Sequence, residues 1–66
     1  MHIRVKMDIP GANDEILDEL FEKFHEIDFF YGDTNVRFYG DSERLQEFLR
    51  ALAAYGLKTE PKPFNF

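Results

Sequence analysis

Cysteine is absent from this 66-residue chain. Its absence excludes disulfide bonds, a cysteine-based zinc site and a thiol nucleophile. Apolar residues never form a run long enough to cross a bilayer or to serve as the apolar part of a signal peptide. We therefore expect a soluble, cytoplasmic protein with no membrane partner. A chain this short is predicted to form a single domain, residues 1–66.

Residues of catalytic type are also few. His2 and His25 are far apart in the sequence, and no Ser–His pair of known catalytic spacing accompanies them. Ser42 is the single serine, and it lies at a predicted helix start, where capping explains it. Acid pairs such as Glu22 and Glu26 would lie on a solvated helix face, which does not suit a carboxyl to general acid catalysis. We therefore expect that the protein is not an enzyme.

The sequence predicts neither a cofactor site nor a metal site. Turn geometry explains the four glycines, which all lie at predicted element boundaries: Gly11, Gly32, Gly40 and Gly56. No glycine-rich phosphate loop is therefore expected. Residues 33–35 offer alternate oxygen ligands but lack the rest of a calcium-binding loop. His25 with Glu22 and Glu26 could hold a divalent ion only loosely, as chance clusters on acidic helices do.

Residues 13–27 are predicted to form an amphipathic helix. The apolar side is formed by Ile16, Leu17, Leu20, Phe21, Phe24 and Ile27, which recur at helical spacing. The opposite side is formed by Glu15, Asp18, Glu19, Glu22 and Glu26. Asn13 is a suitable N-cap, and Asp14 and Glu15 lie in the first turn, where the helix dipole favours acids.

The remaining pattern completes an α+β fold. Strict alternation predicts a strand over residues 2–9, and shorter strands are predicted over 28–31, 36–39 and 57–60. Residues 32–35 are predicted to form a hairpin loop. Asp41 or Ser42 is predicted to cap a second helix, which ends at Gly56. Its apolar side is predicted to be formed by Leu45, Phe48, Leu49, Leu52 and Tyr55.

The order β-α-β-β-α-β predicts a ferredoxin-like split βαβ fold, a four-stranded antiparallel sheet with both helices on one face. Pro61 and Pro63 are expected to confine the fourth strand to a sheet edge or to end it. Residues 64–66 are expected to fold back over the rim of the core. The predicted core contains Ile3, Val5, Leu20, Phe24, Phe38, Phe48 and Leu52.

The net charge of −5 is unevenly distributed. Residues 13–33 hold one base, Lys23, and eight acids, a net charge of −7, whereas the other residues hold five acids and seven bases. The eight acids are Asp14, Glu15, Asp18, Glu19, Glu22, Glu26, Asp28 and Asp33. The excess of acidic residues is therefore concentrated in one segment, residues 13–33.

Like charges recur four residues apart on the predicted helix, at Asp14/Asp18, Glu15/Glu19, Asp18/Glu22 and Glu22/Glu26. Each pair destabilises a helix by roughly 0.2–0.5 kcal/mol. Four pairs therefore cost about 1–2 kcal/mol, in a domain whose core supplies only about 3–5 kcal/mol. An acidic side retained at this cost favours a role in binding.

The predicted row from Glu15 to Glu26 spans about 16 Å and carries one acid per roughly 3–4 Å. A DNA strand presents one phosphate per about 3.4 Å. In size, acidity and its acid-studded helix, the chain resembles small phage-type DNA-mimic inhibitors, which include anti-CRISPR and antirestriction proteins. The resemblance implies a basic, nucleic-acid-binding protein as partner, such as a CRISPR-Cas defence complex, and a monomer or weak dimer that itself binds no nucleic acid. The eight acids are then the expected partner-binding residues.

Two alternatives remain open. The acidic side could only solubilise a generic protein-interaction or regulatory domain, since every amphipathic helix needs a polar side. The open sheet face could instead bind RNA, because Arg4, Lys6, Arg37 and Tyr39 are predicted to point outward there, and Phe30 can join them. This arrangement resembles the platform of RNA-recognition motifs. It lacks their run of aromatics around glycine, the net charge opposes it, and a dimer or protein partner would fit the same face.

Overall fold

The computed structural model describes residues 1–64, which form one sheet and two helices in the order β-α-β-β-α-β. The elements are β1 (His2–Asp8), α1 (Asp14–Lys23), β2 (Ile27–Phe29), β3 (Asn35–Asp41), α2 (Ser42–Ala54) and β4 (Lys62–Pro63). The strands lie in the order β2-β3-β1-β4, and every neighbouring pair is antiparallel. Both helices cover one face of the sheet. The predicted ferredoxin-like fold is confirmed.

The two long central strands fix which side chains point to each face. β1 and β3 pair over seven residues each, with Val5 opposite Phe38 and Lys6 opposite Arg37. Residues paired in this way share a face, and neighbours along a strand alternate between faces. Val5 and Phe38 are accordingly buried beneath the helices, whereas Lys6 and Arg37 are exposed on the open face.

The core lies between the sheet and the helices. It contains Val5, Met7, Ile9, Leu17, Leu20, Phe24, Ile27, Val36, Phe38, Leu45, Phe48 and Leu52. Phe48 lies at its centre. The centroid of the Phe48 ring is 5.4 Å from that of Phe24 and 6.3 Å from that of Phe38. All predicted core residues are buried except Ile3, which packs half-buried at the edge. Neither helix in residues 1–64 has the length and apolar character needed to cross a membrane.

Helix α1 begins as predicted and ends earlier. The Asn13 side-chain oxygen accepts a hydrogen bond of 2.9 Å from the Ile16 N–H, so Asn13 is the N-cap. The helix ends at Lys23, and Phe24 has already left helical backbone angles. The predicted end at residue 27 is wrong, because Ile27 pairs with Phe38 as the first residue of β2. Phe24 and Ile27 keep a helical spacing and are both buried, although neither belongs to the helix.

The start and end of helix α2 agree with the prediction. The Asp41 carboxylate accepts a hydrogen bond from the Glu43 N–H and caps the helix. Gly56 has a φ of +75°, which stops the helix in the left-handed region that glycine favours. Of the predicted apolar side, Leu49 is half-buried and Tyr55 is exposed.

The predicted bounds of the first three strands are also wrong, although β1 ends only one residue early, at Asp8. β2 ends at Phe29, so the hairpin loop begins earlier, at Phe30. β3 continues to Asp41, which places Gly40 inside a strand and not in a turn. A side chain at Gly40 would place its Cβ 2.8 Å from the Cγ of Glu26, so the close approach of Glu26 explains this glycine.

The fourth strand lies at residues 62–63 and not at 57–60. Residues 57–60 are held by other hydrogen bonds: the Leu57 N–H donates to the Leu52 carbonyl, and the Thr59 hydroxyl donates to the Asp8 carbonyl. The prolines confine β4 to the sheet edge beside β1, as predicted. The Phe64 N–H donates to the Arg4 carbonyl, so Phe64 continues the edge strand and does not cover the core rim. The predictions for residues 65 and 66 lie outside the described residues.

Candidate partner-binding surface on the first helix

Four acidic side chains form a row on the surface of α1 that faces away from the sheet. We define the acidic row as Glu15, Asp18, Glu19 and Glu22, all of which are exposed. Their spacing of three, one and three residues places them on one side of a helix. Among residues 1–64, none of these carboxylates belongs to an ion pair. The row therefore presents its full negative charge to solvent.

Neutral hydrogen-bond donors hold two members of the row in place. The Tyr31 hydroxyl, from the loop after β2, donates to the Asp18 carboxylate at 3.1 Å. The Tyr55 hydroxyl, just after α2, donates to the Glu19 carboxylate at 2.5 Å. Each hydrogen bond raises the pKa of the tyrosine, because the neighbouring carboxylate favours the protonated hydroxyl. The tyrosines thus position the two acids without neutralising them.

The start of α1 is fixed by the same loop. The Asp14 carboxylate accepts a hydrogen bond of 2.9 Å from the N–H of Gly32. Gly32 has a φ of +83°, so glycine suits this turn. The Asp33 carboxylate accepts from both the backbone and the side-chain N–H groups of Asn35, and these bonds lower the pKa of Asp33. Asp33 therefore shapes the loop, whereas Asp14 adjoins the acidic row.

Aromatic side chains flank the row beside Asp18. The Phe21 ring, which residue spacing places on the apolar side of the helix, is 42% exposed, and the Tyr31 ring is 71% exposed. Phe29 lies between them, with its ring centroid 6.5 Å from that of Phe21 and 5.7 Å from that of Tyr31. Together with Asp18 and Asp28 they line a hollow of about 210 Å³. Exposed aromatics beside charges are a typical composition of protein-binding surfaces.

Glu26 does not belong to the row. It follows the end of α1, and its carboxylate forms an ion pair with Arg44 of α2 at 2.9 Å. The same guanidinium pairs with Glu47 at 2.7 Å and donates to the Lys23 carbonyl, which caps the C-terminal end of α1. The Arg44 hydrogen bond lowers the pKa of Glu26. The charge of Glu26 is therefore matched inside the fold, and the predicted Glu22/Glu26 helical pair does not exist.

The structure brings together five of the eight predicted acids, those of α1. Asp28 lies on β2, in register with Arg37, and lines the same hollow as Asp18, whereas Asp33 lies in the loop. From Glu15 to Glu22 the row spans about 10 Å and not the predicted 16 Å. The average spacing of one acid per roughly 3–4 Å is unchanged, because the row loses Glu26 together with the length of helix that was predicted to carry it.

Sequence reasoning missed Tyr31 and Tyr55 as the residues that position the row. They stand 13 and 36 residues from their carboxylate partners, so no local pattern connects them. It also missed Arg44, whose pairing with Glu26 depends on how α2 packs against the end of α1. Within residues 1–64, no three His, Asp or Glu side chains are grouped so that they could hold a metal ion.

Comparisons of this chain with protein-family models, with curated proteins and with solved structures find no match.

Proposed function

We propose that this protein is a non-enzymatic binding protein whose acidic row docks on the basic, nucleic-acid-binding surface of a partner protein. One observation carries the proposal. Asp18 and Glu19 are held by the hydroxyls of Tyr31 and Tyr55, which fix their positions and leave their charges intact. Preorganised charges bind an oppositely charged surface with less loss of side-chain freedom on association.

A purely solubilising helix face would not need this arrangement. Solubility depends on net charge and on the absence of apolar patches, not on where each carboxylate stands. The fold does neutralise an acid where structure requires it, as the pairing of Glu26 with Arg44 shows. The row keeps two like-charge pairs at i,i+4 spacing, Glu15/Glu19 and Asp18/Glu22, and the adjoining Asp14 adds a third with Asp18; together they cost roughly 0.6–1.5 kcal/mol. The contrast favours a row retained for binding.

The spacing of the row suggests what the partner surface normally binds. Glu15 and Glu22 are about 10 Å apart along the helix axis, so the four carboxylates over that length have an average axial separation of about 3.5 Å. Phosphates of one DNA strand recur every 3.4 Å along the duplex axis. We propose a DNA-mimic inhibitor of the anti-CRISPR or antirestriction kind, with mimicry limited to the outer side of α1. Phe21 and Tyr31 would supply the apolar contact that stabilises such a complex beside the charges.

The test is capture of a partner from host lysate, repeated with charge variants. We expect Asp18→Lys/Glu22→Lys to abolish capture, because like charges would then face each other across the contact. The matched control, Glu43→Lys/Glu60→Lys, changes net charge equally at exposed positions outside α1 and should retain the partner. The captured partner should be released by high salt and by added nucleic acid.

Two results would count against the proposal. Equal loss of the partner in both charge variants would mean that net charge, and not the row, governs capture. A partner that resists salt and is not displaced by nucleic acid would favour a generic interaction domain.

A further inference from the structure

The open face of the sheet carries a compact group of cations and aromatic rings. Arg4 and Lys6 of β1 stand opposite Tyr39 and Arg37 of β3, respectively. Phe64 is aligned with Arg4 on the other side of β1, since its N–H donates to the Arg4 carbonyl. We define the sheet platform as these five residues. It faces away from α1 and therefore away from the acidic row.

Each ring of the platform is contacted by cations. The Arg4 guanidinium carbon lies 4.8 Å from the centroid of the Tyr39 ring. The Lys6 ammonium nitrogen and the Arg37 guanidinium carbon lie 5.0 and 5.5 Å from the centroid of the Phe64 ring. Tyr39 and Phe64 flank β1 on two sides, so their backbones stand about 10 Å apart. The platform thus places two aromatic rings beside three positive charges on the open face of the sheet.

A hollow of about 240 Å³ adjoins the Phe64 ring. Its walls include Arg37 as a hydrogen-bond donor, Asp28 as an acceptor and Asn35 as both. The Phe30 ring, 66% exposed, lines another part of it. Polar groups of both kinds beside aromatic rings suit a planar ligand with donors and acceptors on its edge, as a nucleobase has.

We propose that the sheet platform binds a short single-stranded RNA segment, contrary to the expectation from the sequence that the protein itself binds no nucleic acid. Cations alone would suit any polyanion, but aromatic rings at their level favour unpaired bases that can stack; the Tyr39 ring is 46% exposed and Phe64 is half-buried. A duplex keeps its bases stacked inside and could not use Tyr39 or Phe64. Asp28 would repel a phosphate but accepts a hydrogen bond from a base amino group or a ribose 2′-hydroxyl, and the hydroxyl is absent from DNA.

The negative net charge does not prevent this binding, because the acids lie mainly elsewhere. Most of the negative charge belongs to residues 13–33, whose acidic row lies on the helix side of the fold; Asp28 and Asp33 are the acids of this segment that line the hollow. On the open face, Lys62 of β4 adds a fourth cation in register with Lys6. Because an RNA segment contacts the local charge most strongly, the platform can attract phosphate in an acidic protein.

Fluorescence anisotropy with a labelled eight-nucleotide RNA of mixed, unstructured sequence tests the proposal. We expect saturable binding of the RNA, weaker binding of DNA of the same sequence, and no binding of the duplex. Tyr39→Ala and Phe64→Ala should each weaken RNA binding roughly five- to a hundredfold, whereas Tyr39→Phe, which keeps the ring, should bind normally.

The salt dependence measures the role of the cations. Contact of three cations with phosphates predicts a slope of about −2 for log K against log salt, and Arg4→Ser/Lys6→Ser should reduce it to about −0.7. The matched control, Lys23→Ser/Arg50→Ser, removes two charges from exposed positions on the helices and should change neither slope nor affinity.

Thermal melts of each variant show whether it is folded before binding is compared. The proposal is overturned if folded protein binds no RNA, if DNA or duplex binds as well as RNA, or if the helix-side control loses as much affinity as Arg4→Ser/Lys6→Ser. These results leave the proposed docking of the acidic row untouched, because that docking is read out by capture of a protein with variants of α1.

Discussion

Reversal of one charge in the acidic row should make the isolated protein more stable. In Glu22→Lys, attraction to Asp18, four residues earlier, replaces repulsion. The lost repulsion and the gained attraction together stabilise the protein by roughly 0.4–1 kcal/mol. The residue also lies in the last turn of α1, where a positive charge interacts favourably with the helix dipole by about 0.3–1 kcal/mol. Glu26 contributes nothing, because it lies beyond the helix end. We expect a net gain of about 0.7–2 kcal/mol at low salt.

Thermal unfolding followed by circular dichroism measures this gain. For a domain of this size, 1 kcal/mol corresponds to a shift in Tm of about 4–8 °C. The gain should be largest at about 0.01 M salt and nearly vanish at about 1 M, where the Debye length falls to about 3 Å. Glu15→Lys is the control: it relieves a like-charge pair but places a cation in the first turn, so it should gain little or lose stability. A Glu22→Lys protein that melts below the parent would show that Glu22 has a stabilising partner and that the row is structural.

Three further changes test the fold and the way the row is held. Phe24→Ala should cost about 3–5 kcal/mol and largely unfold the protein, because the ring is buried against Phe48; a parent-like denaturation curve would contradict this. Because Arg44 lowers the pKa of Glu26, their pairing stabilises the fold above the unfolded-state pKa and is lost as pH falls through the lower folded-state pKa. Stability should therefore decline below about pH 4.5, and less steeply in Arg44→Met, as pH-dependent urea titrations would show. Tyr31→Phe and Tyr55→Phe keep the net charge but release Asp18 and Glu19, so each should weaken partner binding roughly two- to tenfold; unchanged affinity would exclude preorganisation by the hydroxyls.

The sequence is informative where one periodicity holds over a whole element. β1 alternates strictly and is paired on both sides, so its buried and exposed residues follow the pattern. The end of α1 could not be found in this way, because Phe24 and Ile27 keep helical spacing while the chain turns to bring β2 beside β3. β4 was misplaced because Lys62 and Pro63 carry no strand pattern, and only their position beside Val5 and Lys6 makes them a strand.

In the candidate site, too, residue spacing predicts some positions and does not predict others. The acids of α1 share a helix face, which residue spacing alone predicts. The positions of Glu26, Asp28 and Asp33 outside the helix depend on where the helix ends and on the loop, which spacing does not reveal. The tyrosine hydroxyls that hold the row come from other elements, and only the packing of the fold brings them to it.

The central claim is that the acidic row is retained for binding at a cost in stability. Asp18→Lys/Glu22→Lys tests it most directly when partner affinity and unfolding are measured on the same preparation. We predict that binding weakens by several kcal/mol, that the steep fall of the parent's association rate with ionic strength disappears, and that the fold is as stable as the parent or more so. If the reversal leaves partner binding intact while Arg4→Ser/Lys6→Ser abolishes it, the open sheet face is the partner-binding surface and the account of the acidic row is wrong.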